Sequence, residues 1–250
     1  MSATADSIHA KIYGAIVEQR LPPGTKLGEE SLGEIFGVSR TLIRRVLQRL
    51  ASEHVVESRP HRGAFVARPS VEEAREVFEA RRALEAHVID RLAHGLTPAG
   101  AERLRRHVAK EQAQAAGDRR GLIRLSGEFH LLLAELAGNR AIARFLRELV
   151  SRTSLIIGVY EAPGESCCPV DEHAKIIEAL ASQRADVADQ TMRAHLLGIE
   201  QRLRLDRLPE QTVDLREVLA AGRPAVTSRR RGGLFGLRRA RGPDVLSPGP

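Results

Sequence analysis

Gly37-Val38-Ser39-Arg40-Thr41-Leu42-Ile43-Arg44-Arg45-Val46-Leu47 is the stretch whose reading decides the fold. Gly37 can turn the chain out of a preceding helix, and Ser39 can cap a new one by accepting from the backbone N–H groups of its first turn. Ile43, Val46, Leu47 and Leu50 then recur at helical spacing, leaving Arg40, Thr41, Arg44, Arg45 and Gln48 on the opposite face or its flank. Upstream, Glu29 to Phe36 predicts a short helix with Leu32, Ile35 and Phe36 inward, so the pair has helix-turn-helix spacing. Ile8, Ile12 and Ile16 mark an earlier helix, broken by Leu21-Pro22-Pro23-Gly24. Downstream, Val55-Val56, the turn Arg59-Pro60-His61-Arg62-Gly63 and Ala64-Phe65-Val66 predict a two-stranded hairpin, the wing of a winged helix-turn-helix.

A helix of this kind fits the major groove of double-stranded DNA, with the residues of its first turns at the base edges. Arg40 and Arg44, four apart, share one face, where either can fork onto guanine or a phosphate. Thr41 suits a thymine methyl or a phosphate oxygen, and the positive helix N-terminus attracts phosphate. In the wing, Gly63 allows close backbone approach, and His61 and Arg62 are placed for the minor groove. A single arginine would read as a solvated surface residue. The ordered set of turn, cap, basic helix and basic hairpin points to DNA.

Net charge is weaker support than it first looks. Of the formal +7, the segment 223–250 carries seven arginines against one aspartate, so the other 222 residues hold only about +1. Residues 36–62 nevertheless carry six arginines against two glutamates. With 3% aromatics and no tryptophan, the chain lacks the stacking platforms of single-strand binders. Cys167 and Cys168 are adjacent, which fits neither a long-loop disulfide nor a zinc knuckle and suits a reducing cytoplasm. No apolar run is long enough to span a membrane.

After Arg68-Pro69-Ser70 the pattern is helical, with candidate helices at 71–94, 98–116, 119–137, 140–160, 169–182, 185–207 and a short one at 214–221. The expected fold class is therefore mostly α: an N-terminal winged helix-turn-helix with a small β-hairpin, followed by an all-α helical bundle. The division expected is residues 1–68 for DNA binding, 69–74 as linker, 75–210 for effector binding and dimerisation, and 211–250 as an extension, basic and disordered from 223. Arg81 falls on the apolar stripe Val77, Leu84, Val88, Leu92, with Glu85 one turn on. An internal Arg81–Glu85 ion pair and direct contact between Arg81 and a ligand carboxylate are both open readings; Arg82 reads as solvated. His130, His173 and His195 each lie on the inward stripe of a different helix. Any one alone reads as a packed core histidine, whereas three together can hold zinc or a similar divalent ion.

Residues 7–66 resemble the winged domain of the GntR family of bacterial regulators, through Leu21-Pro22-Pro23-Gly24, Leu27, Glu30, Leu32, Gly37 to Thr41, Arg44, Leu47, Leu50 and Gly63 to Val66. Leu42 stands where the family often has proline and Arg45 where it often has glutamate. Residues 75–204 resemble the FCD effector domain of the FadR subfamily, through Arg81-x-x-Leu84-Glu85, Phe129-His130, Gly138-Asn139, Glu172-His173 and His195. The resemblance implies that His130, His173 and His195 hold a divalent metal, zinc first and nickel or manganese after it. It also implies a small carboxylate effector near Arg81, Glu85, Ser126 and Asn139. Ser126 occupies the place of the family's metal-binding aspartate, so one charged ligand is missing. The function implied is a cytoplasmic homodimeric repressor, not an enzyme, that binds a double-stranded DNA operator and releases it on binding effector. The alternatives are a constitutive DNA-binding protein with a purely dimerising helical domain, and a metal-dependent hydrolase in which Glu172 or Glu128 serves as base.

Overall fold

The computed structural model describes residues 4–115, 117, 119–161, 170–205 and 214–220. The chain begins with α1 (Ala5–Val17), opened by a capping box between Thr4 and Ser7. A short strand β1 (Lys26–Leu27) leads into α2 (Glu29–Phe36), which ends at Gly37 with φ of 64°, a left-handed conformation that suits glycine. Ser39 then caps α3 (Arg40–Ser52), its hydroxyl accepting from Leu42 N–H at 3.3 Å. The wing is β2 (Val56–Arg59) and β3 (Gly63–Val66), whose turn is closed by Arg62 N–H donating to the Arg59 carbonyl at 3.0 Å. His61 and Gly63 both take positive φ there.

The sheet has three strands, antiparallel in the order β1-β3-β2, where the sequence predicts two. β1 is too short to show alternation. Its place follows from the Pro22-Pro23-Gly24 turn, because Gly24 N–H donates to Val66 O at 2.9 Å and Val66 N–H to Thr25 O at 2.8 Å. Ile8, Ile12, Ile16, Leu32, Ile43, Leu50 and Val66 are all fully buried and close one core beneath the three helices.

The helical part comprises α4 (Val71–Gly95), α5 (Pro98–Ala115), α6 (Arg119–Leu136), α7 (Arg140–Tyr160), α8 (Val170–Ala181) and α9 (Ala185–Arg202). Ser70 caps α4 and Asn139 caps α7 through their side-chain oxygens. The helix read over 185–207 stops at Arg202, where Leu203 leaves the spiral to bridge Glu161. α4 runs through the middle of the bundle against α6, α7, α8 and α9. Two apolar clusters flank it, one around Phe129, Leu104 and Leu180 and the other around Phe78, Ile156 and Tyr160.

α10 (Leu215–Ala220) returns to the N-terminal domain, where Val218 is buried in its core beside Leu155 of α7. Nothing in the sequence pattern places it there. Cys167, Cys168 and the basic segment from 223 lie outside the described residues. Among the described residues no helix is long and apolar enough to cross a membrane.

Candidate DNA surface and metal centre

Ser39, Arg40, Thr41, Arg44, Arg45, Gln48, His61, Arg62 and Gly63 are all exposed, on α3 and the tip of the wing. The structure adds partners that the spacing did not reveal. Arg44 forks onto Glu29 of α2, Nε to Oε1 at 3.0 Å and Nη2 to Oε2 at 2.7 Å, and Arg40 pairs with Glu30 of the same helix. The Arg44 pair holds the Glu29 carboxyl below its usual range, chiefly through the hydrogen bond. Arg45 has no ion-pair partner among the described residues.

In the bundle, α6, α8 and α9 bring His130, His173 and His195 together, each at most 2% exposed. The Nε2 atoms of His173 and His195 are 3.2 Å apart, and those of His195 and His130 3.3 Å apart. Every ring is anchored from behind by a carboxylate: His130 Nδ1 donates to Glu85 at 2.5 Å, His173 Nδ1 to Glu111 at 2.8 Å and His195 Nδ1 to Glu172 at 2.7 Å. Carboxylates can only accept, so the ring protons sit on the Nδ1 atoms. Three Nε2 lone pairs are then left to face one another in a buried site.

That arrangement fits a cation. Tetrahedral zinc with Zn–N bonds of about 2.0–2.1 Å requires nitrogens about 3.3–3.4 Å apart, close to the two separations here. Protonating one Nε2 instead would either strip the proton from an Nδ1 or add a buried charge. Burial opposes the latter, lowering His130 to about 3 and His195 to about 4 against the raising effect of Glu85 and Glu172. Glu85, itself buried, is lowered to about 2, the attraction of Arg81 and His130 outweighing desolvation. Buried carboxylates behind metal-binding imidazoles are the usual means of fixing the tautomer and raising ligand basicity.

Glu111 was missed by the sequence reading. Its signal is a carboxylate on the buried stripe of α5 with Leu104 and Val108, completely buried itself. Glu85 serves as an anchor for both Arg81 and His130, with Arg81 Nε donating to its Oε1 at 2.8 Å. Arg81 also donates from Nη1 to Thr153 at 3.2 Å, while Nη2 lies within ion-pair reach of Glu85 but makes no aligned hydrogen bond. Arg81 thus pairs with Glu85, as the first of its two readings has it, and also lines a cavity shared with Ser126 and His130.

That cavity is small, about 20 Å³, room for roughly one water. Ser126 sits in its wall, buried, where the family's aspartate would stand. Asn139 is not part of it. Its side chain is occupied in capping α7, and the α7 residues that line the cavity begin at Val150, about 16 Å further along the helix. Arg82, read as solvated, instead pairs with Glu200 of α9 at 2.5 Å.

Comparison with known proteins places both halves of the chain. Residues 4–66 match the family described as bacterial regulatory proteins, gntR family, and residues 76–198 match the FCD domain, together about three quarters of the chain. The chain is 28% identical over 195 residues to the HTH-type transcriptional repressor RspR of Escherichia coli (strain K12), covering 76% of this chain and 84% of that protein. It is 26% identical over 202 residues to the HTH-type transcriptional regulator LutR of Bacillus subtilis (strain 168), covering 72% and 92%. Among solved structures, a GntR transcriptional regulator from Rhodococcus sp. RHA1 superposes with a TM-score of 0.71 at 24% identity, over 79% of this chain and 96% of that one. McbR/YncC of E. coli gives 0.68 at 20% identity, over 79% and 95%. At those identities the likeness to the two structures is one of fold.

Proposed function

The chain belongs to the gntR family of bacterial regulatory proteins and carries an FCD domain, so it is a DNA-binding transcription regulator and not an enzyme; from that premise we propose that it is a metal-assisted, effector-responsive repressor. In this reading residues 1–68 bind DNA, 69–74 link, and 75–210 bind effector and join two copies in a homodimer of FadR type acting in the cytoplasm. Arg40, Thr41 and Arg44 read bases, with Gln48 beside them. Ser39, Arg45, His61, Arg62 and Gly63 hold the backbone and the adjacent minor groove.

One observation supports the metal above all: three buried Nε2 atoms face one another, each ring held by a carboxylate. His130, His173 and His195 would hold the ion. Three neutral nitrogens with a hydroxyl in place of aspartate favour zinc, with nickel next, over harder manganese. Bound there, the metal supplies a positive point to which an effector carboxylate is drawn. Arg81 offers the complementary donor, Glu85 fixes Arg81 and His130, and Ser126 holds a water or touches the effector. With room for roughly one water, the cavity described is the closed state, and effector entry requires α6 and α7 to part.

The test is fluorescence anisotropy of the purified chain on labelled duplexes from the DNA flanking its gene, with a panel of small carboxylates, each with and without added Zn²⁺. Specific binding weakened by one carboxylate, more strongly with zinc, is the expected result. DNA binding that no carboxylate alters, on protein shown by elemental analysis to contain zinc, would favour a constitutive regulator.

A further inference from the structure

We infer that the groove between the winged domain and α7 is a second small-molecule site, separate from the histidine cluster, and that it takes an aromatic carboxylate. The groove encloses about 610 Å³, within the range of small-ligand sites, whereas the cavity at Arg81 holds about 20 Å³. One wall comes from α1 and α3, through His9, Tyr13, Arg49 and Glu53. The other comes from α7, through Arg144, Phe145, Arg147 and Glu148.

The charge ledger of these walls favours an anion. Glu53 is engaged by His9 at 2.7 Å and by Arg49 at 3.4 Å, and Arg49 is engaged by Asp6 at 2.7 Å. Glu148 lies 3.5 Å from His54 and from Arg152, and Arg152 is shared with Glu73 of α4. Arg147 and Arg144 have no carboxylate partner among the described residues, and Arg144 instead leans over the Phe145 ring at 5.6 Å. Of the lining side chains, Arg49, Arg144 and Arg147 stand against Glu53 and Glu148, so three cations meet two carboxylates, and the two arginines without a carboxylate partner both sit on α7.

The apolar features ask for a ring. Phe145 is 52% exposed, one of two large hydrophobic side chains left so open among the described residues. Facing it across the groove, Tyr13 stacks on His9 with centroids 5.9 Å apart and planes at 15°. Ser151 donates to the Arg147 carbonyl at 2.7 Å, so Tyr13 donates to Ser151, and this bond fixes the aromatic wall in place. A flat ligand ring between Phe145 and Tyr13, with its carboxylate on Arg147 and Arg144, satisfies both the exposed apolar surface and the unpaired cations. Because the walls belong to different domains, such a ligand would also fix the winged domain against α7. That coupling, unlike the binding itself, rests on the regulatory function proposed above.

The test is calorimetry on the full chain with phenylacetate and indole-3-acetate as probes, and acetate and phenylacetamide as controls. Both aryl carboxylates are expected to bind at least tenfold more tightly than either control, equally in zinc-loaded and metal-stripped protein. Arg147→Gln and Phe145→Ser should each weaken them tenfold or more, and the shift that phenylacetate causes in DNA affinity should vanish in Arg147→Gln. The proposal is overturned if the aryl carboxylates bind no better than the controls, if both variants bind like the parent, or if stripping the metal abolishes binding. It is also overturned if light scattering shows that Phe145→Ser dissociates the protein without changing probe binding, since the groove is then an interface between copies. Probe binding that leaves DNA affinity untouched removes the coupling and keeps the site.

Discussion

Each histidine of the cluster gives one nitrogen to a carboxylate and turns the other toward its neighbours, and the carboxylates decide whether that second nitrogen is free to take a metal ion. Glu111→Gln keeps an acceptor oxygen beside His173 but removes the charge. Zinc affinity is expected to fall 10–100-fold, measured by competition with a chromophoric chelator, with the circular dichroism unchanged; an unaltered affinity would reduce Glu111 to packing. The same rings set a pH dependence. Burial holds His130 at about 3 and His195 at about 4 in the folded chain, against about 6.5 when unfolded. Between those values the unfolded state binds more protons, so stability rises with pH across that window and is lost as pH falls below about 6.5. Metal-stripped protein should therefore melt on the order of 5–10 °C lower at pH 5 than at pH 7, and a flat melting temperature would show that the rings are charged when folded. His130, His173 and His195 were legible because polar residues on apolar stripes stand out. Glu111 carried the same signal and was passed over, while Asn139 shows that an amide suits a cap as well as a ligand, a choice that sequence alone does not make.

Helix spans were legible wherever period and cap agreed, as at Ser39 for α3 and Ser70 for α4. What the period could not show is which elements meet. Glu30 and Glu29 precede Arg40 and Arg44 by 10 and 15 residues, and only the packing of α2 on α3 joins them. The consequence is that two candidate readers are held in place yet partly neutralised before DNA arrives. Glu29→Gln frees Arg44 from a competing carboxylate and is expected to raise affinity for nonspecific duplex about two- to fivefold, a modest gain because the pair is solvent-screened. Arg45 faces no such competitor. Arg45→Glu should reduce the salt slope of DNA binding by about one, read from anisotropy titrations at several salt concentrations. A slope identical to the parent would take Arg45 out of the interface.

At the scale of the molecule, the winged domain is packed on by α7 from one side and α10 from another, and neither contact follows from the sequence pattern. α7 presents one face to the cavity, where Thr153 accepts from Arg81, and another to the winged domain. On that second face the Ser154 carbonyl accepts from Gln19 at 3.4 Å and Leu155 enters the N-terminal core. Arg81 and the DNA-binding domain therefore contact neighbouring residues of one helix. α10 supplies the other contact: Val218 is buried in the same core, its carbonyl accepts from Arg20 Nη1 at 3.3 Å, and Arg216 pairs with Glu34 of α2. Burying a valine side chain contributes about 1.5–3 kcal/mol, so Val218→Asp should release α10 and destabilise the winged domain by at least that amount. The expected outcome is a calorimetric scan that splits into two transitions, the lower belonging to the winged domain, with zinc affinity unchanged because the cluster lies in the bundle. Ending the chain after residue 213 should give the same split, and it removes the basic segment as well. A fall in DNA affinity found in the truncation but not in Val218→Asp would then be assigned to the arginines beyond 222. A single transition at the parent temperature in Val218→Asp would mean that α10 does not hold the domain.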